Sequence, residues 1–325
     1  MKETEAEEAP APASARTAVV MKDGLLLLDK GPGYTSHDAV QRVRRLLKQK
    51  RIGHCGTLDP EATGLLLLTL GSATRLTRFL IRAPKVYCGT IRFGTATDTY
   101  DASGQVVSRA TPAELAELRQ EPVVAAMATF VGQIEQKAPP YSAKKINGVR
   151  YYELARRGEE VPADPKEVTV FEFVPLSELA DGAIRFRLAC SSGTYARALA
   201  HDLGAALGVG AHLAELRRLQ IGSFHADAGV TLERLETELA AGERPGAAWL
   251  PFDEIPLPFA EVTVDAQQEQ RIRHGQTVLA RDLGGAEGDW VKLVNRRREF
   301  IAVGTVVERI GNGGVGVVQP KVVFH

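Results

Sequence analysis

The stretch GHCGTLDPEATGLLLLTLG, residues 53–71, places Asp59 between glycine-marked turns and then runs into consecutive leucines. Aspartate is a favoured N-cap, and proline, here Pro60, is well tolerated at the first position of a helix. The stretch alone therefore leaves two roles open for Asp59, a helix cap and a catalytic carboxylate. The leucine run has the length of a strand or of a short helix and is too short to span a membrane.

The flanking sequence alternates between strand and helix patterns. The apolar run at 24–28 ends in turn residues, which predicts a buried strand. Thr35 or Ser36 then caps a predicted helix whose arginines face outward. Further predictions are a helical stretch in ATRLTRFLIR, strands at 85–94, at 167–176 and in AIRFRLAC, a hairpin-like segment at 97–107, and helices at 112–131 and 195–207. This mixture indicates the α+β class.

The length of 325 residues exceeds what one hydrophobic core usually serves, so we expect more than one domain. The predicted parts are a disordered acidic tail at 1–20, a large α+β domain at 21–251, and a small all-β domain at 252–325. Residues 133–161 combine Pro-Pro, Asn-Gly and dense charge, which predicts an excursion that touches a partner. The tail lacks the features of a signal or transit peptide, so we expect a cytoplasmic protein with no membrane partner.

The distribution of charge is more informative than its sum, because 40 basic residues balance 40 acidic ones. Residues 41–52 hold six basic side chains and no acid, and residues 137–157 hold six against Glu153 alone. A single run of this kind is usually a solvated helix face. Two such runs together with VNRRREF at 294–300 indicate a polyanionic partner.

Several common kinds of site find no support in the sequence. Cys55, Cys88 and Cys190 are single and widely spaced, which predicts reduced structural thiols and no zinc site. The segment DKGPGYTSH follows a strand but lacks the spacing of a phosphate-binding loop, so a nucleotide-cofactor enzyme is disfavoured. The motifs of metallohydrolases and serine hydrolases are absent as well.

The remaining chemical candidates are Asp59 and Arg197, the latter in the turn SSGTYARAL. A carboxylate that attacks carbon or stabilises a sugar cation must stay ionised near neutral pH, and an arginine partner favours that form. Spacing alone does not establish that the two side chains meet.

Six segments in order resemble the TruB family of tRNA pseudouridine synthases. The residues at 53–64 match the family pattern G-H-x-G-x-L-D-P-x-A-x-G. The likeness continues in GLLLLDKGPGYTSHDAV, KVYCGTIRFGTATDTYDASG, PPYSAKKINGVRYYELARRG, SSGTYARALAHDLG and GAHLAELRRL, and so covers most of residues 24–220. The resemblance implies the pseudouridine synthase fold, with a central mixed or antiparallel sheet and flanking helices. The C-terminal β segment resembles the PUA-type RNA-binding domain, on position and strand pattern only.

What this resemblance implies is a cofactor-free isomerase that needs no metal. It would detach uracil from C1′ of a uridine, rotate it and rejoin it through C5, at position 55 in the T-loop of tRNA. Asp59 falls on the family's nucleophile, with attack on C1′ or on the uracil ring left open, and Arg197 is its expected partner. The target base must be flipped out of its stack. Tyr87 falls on the active-site tyrosine, which can stack on uracil or accept the C5 proton.

Further residues acquire roles through the same resemblance. Tyr195 would form a pocket wall and His54 would lie against the RNA, and the main chain of Leu216 would meet the uracil edge. Lys85 and Asp101 would form hydrogen bonds near the pocket, and Lys144 lies in the segment that resembles the RNA-clamping thumb. Cys55 and Ser191-Ser192 depart modestly from the family pattern. A monomer is the default expectation, and an RNA-binding protein without essential chemistry is the main alternative, disfavoured by the intact set of Asp59, Tyr87 and Arg197.

Overall fold

A computed structural model describes residues 21–141, 145–146, 149–150, 165–311 and 314–324, and its main feature is a ten-stranded sheet. The strands of this sheet are β1 (Gly24–Lys30), β2 (Ile52–His54), β3 (Thr63–Leu70), β4 (Lys85–Phe93), β7 (Gly132–Gln136), β10 (Lys166–Pro175), β11 (Ala183–Cys190), β12 (Ala211–Ile221), β13 (Phe224–His225) and β14 (Trp249–Pro251). Their order is β14-β1-β3-β12-β4-β11-β10-β7, with β2 beside β3 and β13 beside β12. All of the pairs are antiparallel except β3 with β12, so the predicted mixed sheet is confirmed.

The two leucine runs are adjacent antiparallel strands of this sheet, β1 and β3. Leu65 to Leu68 are fully buried, as expected of a strand covered on both faces. Gly64 pairs with Arg218 of β12, and a Cβ there would lie 2.2 Å from the carbonyl oxygen of Arg218. Because the leucines after Asp59 form a strand, the helix-cap interpretation of Asp59 is wrong: Asp59 lies in a loop that leads into β3.

One of the predicted helices is divided into two. Thr35 caps the predicted first helix through a capping box with Asp38. The single helix predicted at 112–131 is two helices, because Pro122 in a continuous helix would clash with the carbonyl group of Leu118. The helices are α1 (Ser36–Leu47), α2 (Thr77–Leu80), α3 (Pro112–Glu117), α4 (Gln120–Thr129), α5 (Ala196–Ala206), α6 (Leu232–Ala240) and α7 (Ala266–Arg273), with short 3-10 turns at 71–76, 226–228, 246–248 and 252–254.

Two small hairpins complete the large part of the chain. The hairpin predicted near 97–107 is confirmed as β5 (Thr95–Thr97) paired with β6 (Val106–Arg109). Within the predicted excursion at 133–161, the backbone of β8 (Lys145–Ile146) pairs with that of β9 (Val149–Arg150). Most of that excursion, including Lys144, and the tail at 1–20 lie outside the described residues.

The C-terminal part forms a second, five-stranded sheet, which confirms the predicted β segment. Its strands are β15 (Ala260–Val264), β16 (Val278–Ala280), β17 (Trp290–Asn295), β18 (Phe300–Ile310) and β19 (Val315–Val323), in the order β15-β17-β18-β19-β16. Helix α7 belongs to this part and was not evident in the sequence pattern. Phe252 stacks on Phe300 and meets Phe324 edge-on, with ring centroids 5.1 and 4.7 Å apart, and so joins this sheet to the larger one. None of the helices in the described ranges has the length and apolar character to cross a bilayer.

Candidate active site

The loop 55–62, between β2 and β3, is held in place by two buried cations. Lys30 is fully buried, and its ammonium group donates to the carbonyl oxygens of Pro60 and Ala62, both at 2.8 Å. Arg218 is 1% exposed and donates to the carbonyl oxygens of Leu65 at 2.7 Å and Gly56 at 3.0 Å. Each cation donates to carbonyl groups in or beside the loop that carries Asp59, and so fixes that loop.

A third attachment fixes the residue before Asp59. The hydroxyl group of Ser36, in the first turn of α1, donates to the carbonyl oxygen of Leu58 at 3.1 Å and accepts from its amide at 2.8 Å. Asp59 therefore projects from a backbone that is held on both sides, as a positioned reactive group requires.

Asp59 forms a two-point ion pair with Arg197, 138 residues away in the chain. Nη2 of Arg197 donates to Oδ1 at 3.2 Å, and Nε lies 3.2 Å from Oδ2. The Arg197 side chain is 7% exposed whereas that of Asp59 is 41% exposed. The buried guanidinium thus holds a carboxylate that remains open to a ligand. Sequence spacing alone could not establish that Asp59 and Arg197 are in contact.

Asp101 and Thr99 complete the surroundings of Arg197. Nη1 of Arg197 donates to the carbonyl oxygen of Thr99 at 3.2 Å and lies 3.8 Å from Oδ2 of Asp101. The other carboxylate oxygen of Asp101 accepts from Thr99 and from the amide and hydroxyl of Ser103. Asp101 therefore contacts the arginine rather than the cavity that contains Tyr87.

The charges around Asp59 act in opposite directions on its acidity. Burial raises the pKa of the Asp59 carboxyl above its ordinary value, Arg197 and Lys30 oppose that rise, and Asp101 adds to it. Arg197 is the largest of the opposing influences. This arginine is therefore the neighbour that most favours the ionised form of Asp59.

Two cavities meet at Asp59 and Leu216. The smaller, about 550 Å³, is also lined by Tyr87, Tyr195 and Arg197. Lys85, Gln136 and Arg218 contribute to the same cavity. The larger, about 840 Å³, is lined by Asp101 and by polar and charged side chains that include Thr90, Arg185, Glu215 and Arg217.

The smaller cavity has an aromatic wall and a buried amine. Tyr87 is 9% exposed, and burial raises the pKa of its phenol, so the hydroxyl is neutral at physiological pH. Lys85 is 5% exposed and donates to the carbonyl oxygen of Ala83 at 2.6 Å, and burial lowers its pKa to about 8. Gln136 holds Tyr195 by bonding to its amide at 2.7 Å and its carbonyl oxygen at 3.0 Å.

The structure brings most of the predicted residues together. Asp59, Tyr87, Arg197, Tyr195, Lys85 and Leu216 share the smaller cavity, and Asp101 reaches it through Arg197. His54 is half-buried in β2 and lines neither cavity, and burial lowers the pKa of its imidazole. Lys144 lies outside the described residues.

Sequence reasoning missed Lys30, Gln136 and the structural role of Arg218. Lys30 and Arg218 lie in segments that match the family, DKGPG and LRRL, and this was the available signal. Charged side chains are rarely fully buried, so composition gave no reason to place either of them in the interior. Across the described ranges, no group of three or more His, Cys, Asp or Glu side chains is arranged to hold a metal ion.

Three family models match successive parts of the chain. The model of the TruB family pseudouridylate synthase N-terminal domain matches residues 44–196. The tRNA pseudouridylate synthase B C-terminal domain matches residues 197–255, and the C-terminal domain of pseudouridine synthase II TruB matches residues 260–324.

Curated relatives extend this similarity over most of the chain. The tRNA pseudouridine synthase B of Solibacter usitatus is 43% identical over 286 residues, which are 88% of this chain and 96% of the relative. The enzyme of the same name from Leifsonia xyli subsp. xyli is 44% identical over 275 residues, 83% of this chain and 88% of the relative.

Solved structures share the fold over nearly the whole length. The archaeal box H/ACA sRNP Nop10-Cbf5 complex contains a chain 25% identical, with a TM-score of 0.70, covering 94% of this chain and 87% of that one. The H/ACA RNP bound to a substrate RNA containing 2′-deoxyuridine gives 24% identity and a TM-score of 0.70, covering 93% of this chain and 85% of that one.

Proposed function

This chain belongs to the TruB family of pseudouridylate synthases, and from that premise we propose that it converts uridine 55 in the T-loop of tRNA to pseudouridine. It is a tRNA pseudouridine synthase, as are its curated relatives. The single observation that carries the proposal for the site is the pair of Asp59 and Arg197 at the edge of a cavity that Tyr87 also lines.

In the proposed reaction, Asp59 is the nucleophile. Its carboxylate attacks C1′ of the ribose or the uracil ring, the bond from C1′ to N1 breaks, and the uracil rotates. A new bond then joins C1′ to C5, and the bond to Asp59 breaks so that the carboxylate is released. N1 takes up a proton, and the C5 proton leaves to solvent or to a base. Arg197 keeps Asp59 ionised by its two-point contact, and Asp101 orients Arg197.

Tyr87 is proposed to stack on the flipped uracil. Its ring lines the smaller cavity together with Asp59. Because burial raises the pKa of its phenol, the hydroxyl is protonated in the free protein, which favours stacking over proton abstraction by Tyr87 in the resting state. Tyr195 and Leu216 would confine the base from other sides, and Lys85 lies where it could meet its polar edge.

The proposed partner is a T-stem-loop bound by a monomer. A uracil in the smaller cavity must have left its stack, at a cost of a few kcal/mol that contacts to the flanking RNA must offset. The larger cavity adjoins Asp59, and Lys48 and Lys50 lie exposed after α1, where they could meet phosphates.

The proposed domains are a tail at 1–20, a catalytic domain at 21–251 and a PUA-like RNA-binding domain at 252–325. The catalytic domain includes an RNA-clamping segment at 133–161, which contains Lys144. We also propose that His54 contacts RNA outside the two cavities. For the protein as a whole we propose a cytoplasmic location.

Release of tritium tests both the proposed reaction and the proposed position of the modified uridine. A T-stem-loop labelled at C5 of uridine 55 alone should lose its label to water with wild-type protein, and one labelled only at other uridines should retain it. Asp59→Ala should release none, while Asp227→Asn, which removes an exposed carboxylate away from both cavities, should match wild type.

Each arm of that experiment has a contradicting outcome. No release by wild type from the label at position 55 would overturn the proposed substrate. Equal release by Asp59→Ala and wild type would overturn the nucleophile assignment. Binding of RNA without release by any variant would favour the alternative of an RNA-binding protein without chemistry.

A further inference from the structure

The loop between β5 and β6 supplies two groups that contact Nη1 of Arg197. Nη1 of Arg197 donates to the carbonyl oxygen of Thr99 at 3.2 Å and lies 3.8 Å from the carboxylate of Asp101. The orientation of Arg197 against Asp59 therefore depends on where this loop sits relative to α5, the helix that carries Arg197.

Tyr100, between these two residues, has an unusual backbone. Its φ is 66°, in the left-handed region that glycine adopts readily and bulky side chains avoid. Strain of this kind persists only where the surrounding structure compensates for it. Its side chain makes one close contact of this kind: the Tyr100 ring stacks on the imidazole of His201, with centroids 3.7 Å apart and planes 14° apart.

His201 lies four residues after Arg197 on α5, so the two side chains project from the same face of the helix. Nδ1 of His201 is buried and finds no hydrogen-bond partner among the described residues, so the Tyr100 ring is a principal contact of the imidazole. Tyr100 and His201 line neither cavity.

From these contacts we infer that the Tyr100–His201 stack is a positioning device for catalysis, which clamps the β5–β6 loop to α5 so that Thr99 and Asp101 hold Arg197 against Asp59. The inference rests on the proposed function. Neither ring touches the substrate.

Backbone contacts attach the same loop to the large sheet. The amide of Leu213, in β12, donates to the carbonyl oxygen of Tyr100 at 3.0 Å, and the amide of Ala102 donates back to Leu213 at 3.0 Å. These bonds attach the loop to the sheet. Besides the contacts of Arg197 itself, the stack attaches the loop to the helix, so its removal takes away one of the contacts that fix the loop relative to Arg197.

Variants of Tyr100 separate positioning from folding. Tyr100→Gly removes the ring and relieves the left-handed backbone, whereas Tyr100→Phe retains the stack. We expect the single-turnover rate of Tyr100→Gly on a T-stem-loop to fall about tenfold or more, since small displacements of a catalytic group have effects of this size. Tyr100→Phe should match wild type, and the Kd for the RNA should stay within about twofold of wild type in both variants.

The pH dependence of the single-turnover rate distinguishes positioning from stability, because a loss of stability alone would not shift it. Arg197 lowers the pKa of Asp59, so its misplacement should move the acidic limb of the single-turnover rate to higher pH in Tyr100→Gly. The double variant with His201→Ala should be no slower than the slower of the two single variants, because both substitutions remove the same stacking interaction.

Each result bears on one claim. The inference would be overturned if Tyr100→Gly kept the wild-type single-turnover rate and the wild-type acidic limb of its pH profile. A lower melting temperature with an unchanged pH profile would also overturn it. A weakened Kd at an unchanged rate would assign the stack to RNA binding instead and overturn it too. Inactive wild-type protein would overturn the proposed function, which is a separate result.

Discussion

At the scale of the residue, the site is an aspartate whose acidity is set by competing neighbours. Burial and Asp101 raise the pKa of Asp59, and Arg197 and Lys30 lower it. Since only the ionised carboxylate is nucleophilic, activity should fall as the pH drops through a pKa that lies above the ordinary aspartate value of 3.8. The arginine therefore extends the active range towards lower pH.

Arg197→Gln tests this balance. Removing the cation takes away the main influence that lowers the pKa of Asp59, so the pKa should rise further and the acidic limb of the rate should move to higher pH. We expect the rate at neutral pH to fall about tenfold or more, since a misplaced catalytic group alone has effects of this size. Single-turnover rates across the acidic and neutral pH range measure both effects. Arg187→Gln, which breaks a half-exposed pair with Glu172, is the matched control; a limb that moves equally in both variants would contradict this role of Arg197.

How far the sequence predicts this site varies from residue to residue. Asp59 and Arg197 are 138 positions apart, and only the order of six family segments indicated that they meet. Lys30 could not be predicted as a support of the loop, because a lysine at a strand end usually reaches solvent, whereas here three carbonyl oxygens take its ammonium group inward. Tyr100 carried no signal, since left-handed backbone is not predictable for a tyrosine.

At the scale of the element, the basic run at 41–52 divides into two kinds of side chain. Arg42 pairs with Glu236 at 2.8 Å, and Arg44 donates to the carbonyl oxygen of Ile52 at 2.9 Å, so these two stabilise the fold. Arg45, at the end of α1, and Lys48 and Lys50 beyond it are exposed. As expected, these arginines lie off the buried face of the helix, but the first two are engaged by other parts of the protein.

The exposed group should contact phosphates. Replacing Arg45, Lys48 and Lys50 by glutamine should weaken RNA binding and flatten the dependence of log Kd on log salt by about one unit for each phosphate that is no longer neutralised. Arg42→Gln should leave the slope unchanged, because that cation already has carboxylate partners. Filter binding of a T-stem-loop at several salt concentrations measures the slopes. If the triple variant kept the wild-type slope, the exposed side chains would be ordinary solvated charges.

The sequence predicted whether a segment is a helix or a strand where its hydrophobic pattern agreed with the residues that begin or end such elements. Thr35 with Asp38 forms the capping box that begins α1, which agrees with the prediction of a cap at Thr35 or Ser36. The leucine run after Asp59 was ambiguous because apolar runs of this length suit a strand or a helix, and pairing with β1 decided it. The break between α3 and α4 was predictable in principle, since Pro122 stands four residues after Leu118.

At the scale of the molecule, an aromatic cluster joins the two sheets. Phe252 meets Phe300 and Phe324, and Phe79 meets Trp290 with centroids 4.9 Å apart. Lys292 of β17 adds a hydrogen bond from its ammonium group to the carbonyl oxygen of Asp253 at 3.1 Å. Strand pattern predicted the second sheet, but such pairings across the linker depend on tertiary packing that local sequence does not reveal.

These contacts predict cooperative unfolding. Wild-type protein should unfold in one calorimetric transition, and Phe252→Ala should destabilise the junction by roughly 3 kcal/mol and separate the transition into two. Phe171→Ala, at a ring 56% exposed on β10, should leave a single transition near the wild-type temperature. Two transitions already in the wild type would show that the sheets unfold independently.

The central claim is that the carboxylate of Asp59 performs the chemistry and does not merely shape the loop. Asp59→Asn keeps the size of the side chain and removes its charge, so the most direct measurement is the formation of pseudouridine and the Kd for the same T-stem-loop, both determined on this one variant. We expect a Kd within about twofold of wild type and no detectable pseudouridine, because an amide is not a nucleophile of this kind. Turnover near the wild-type rate by Asp59→Asn would contradict the claim.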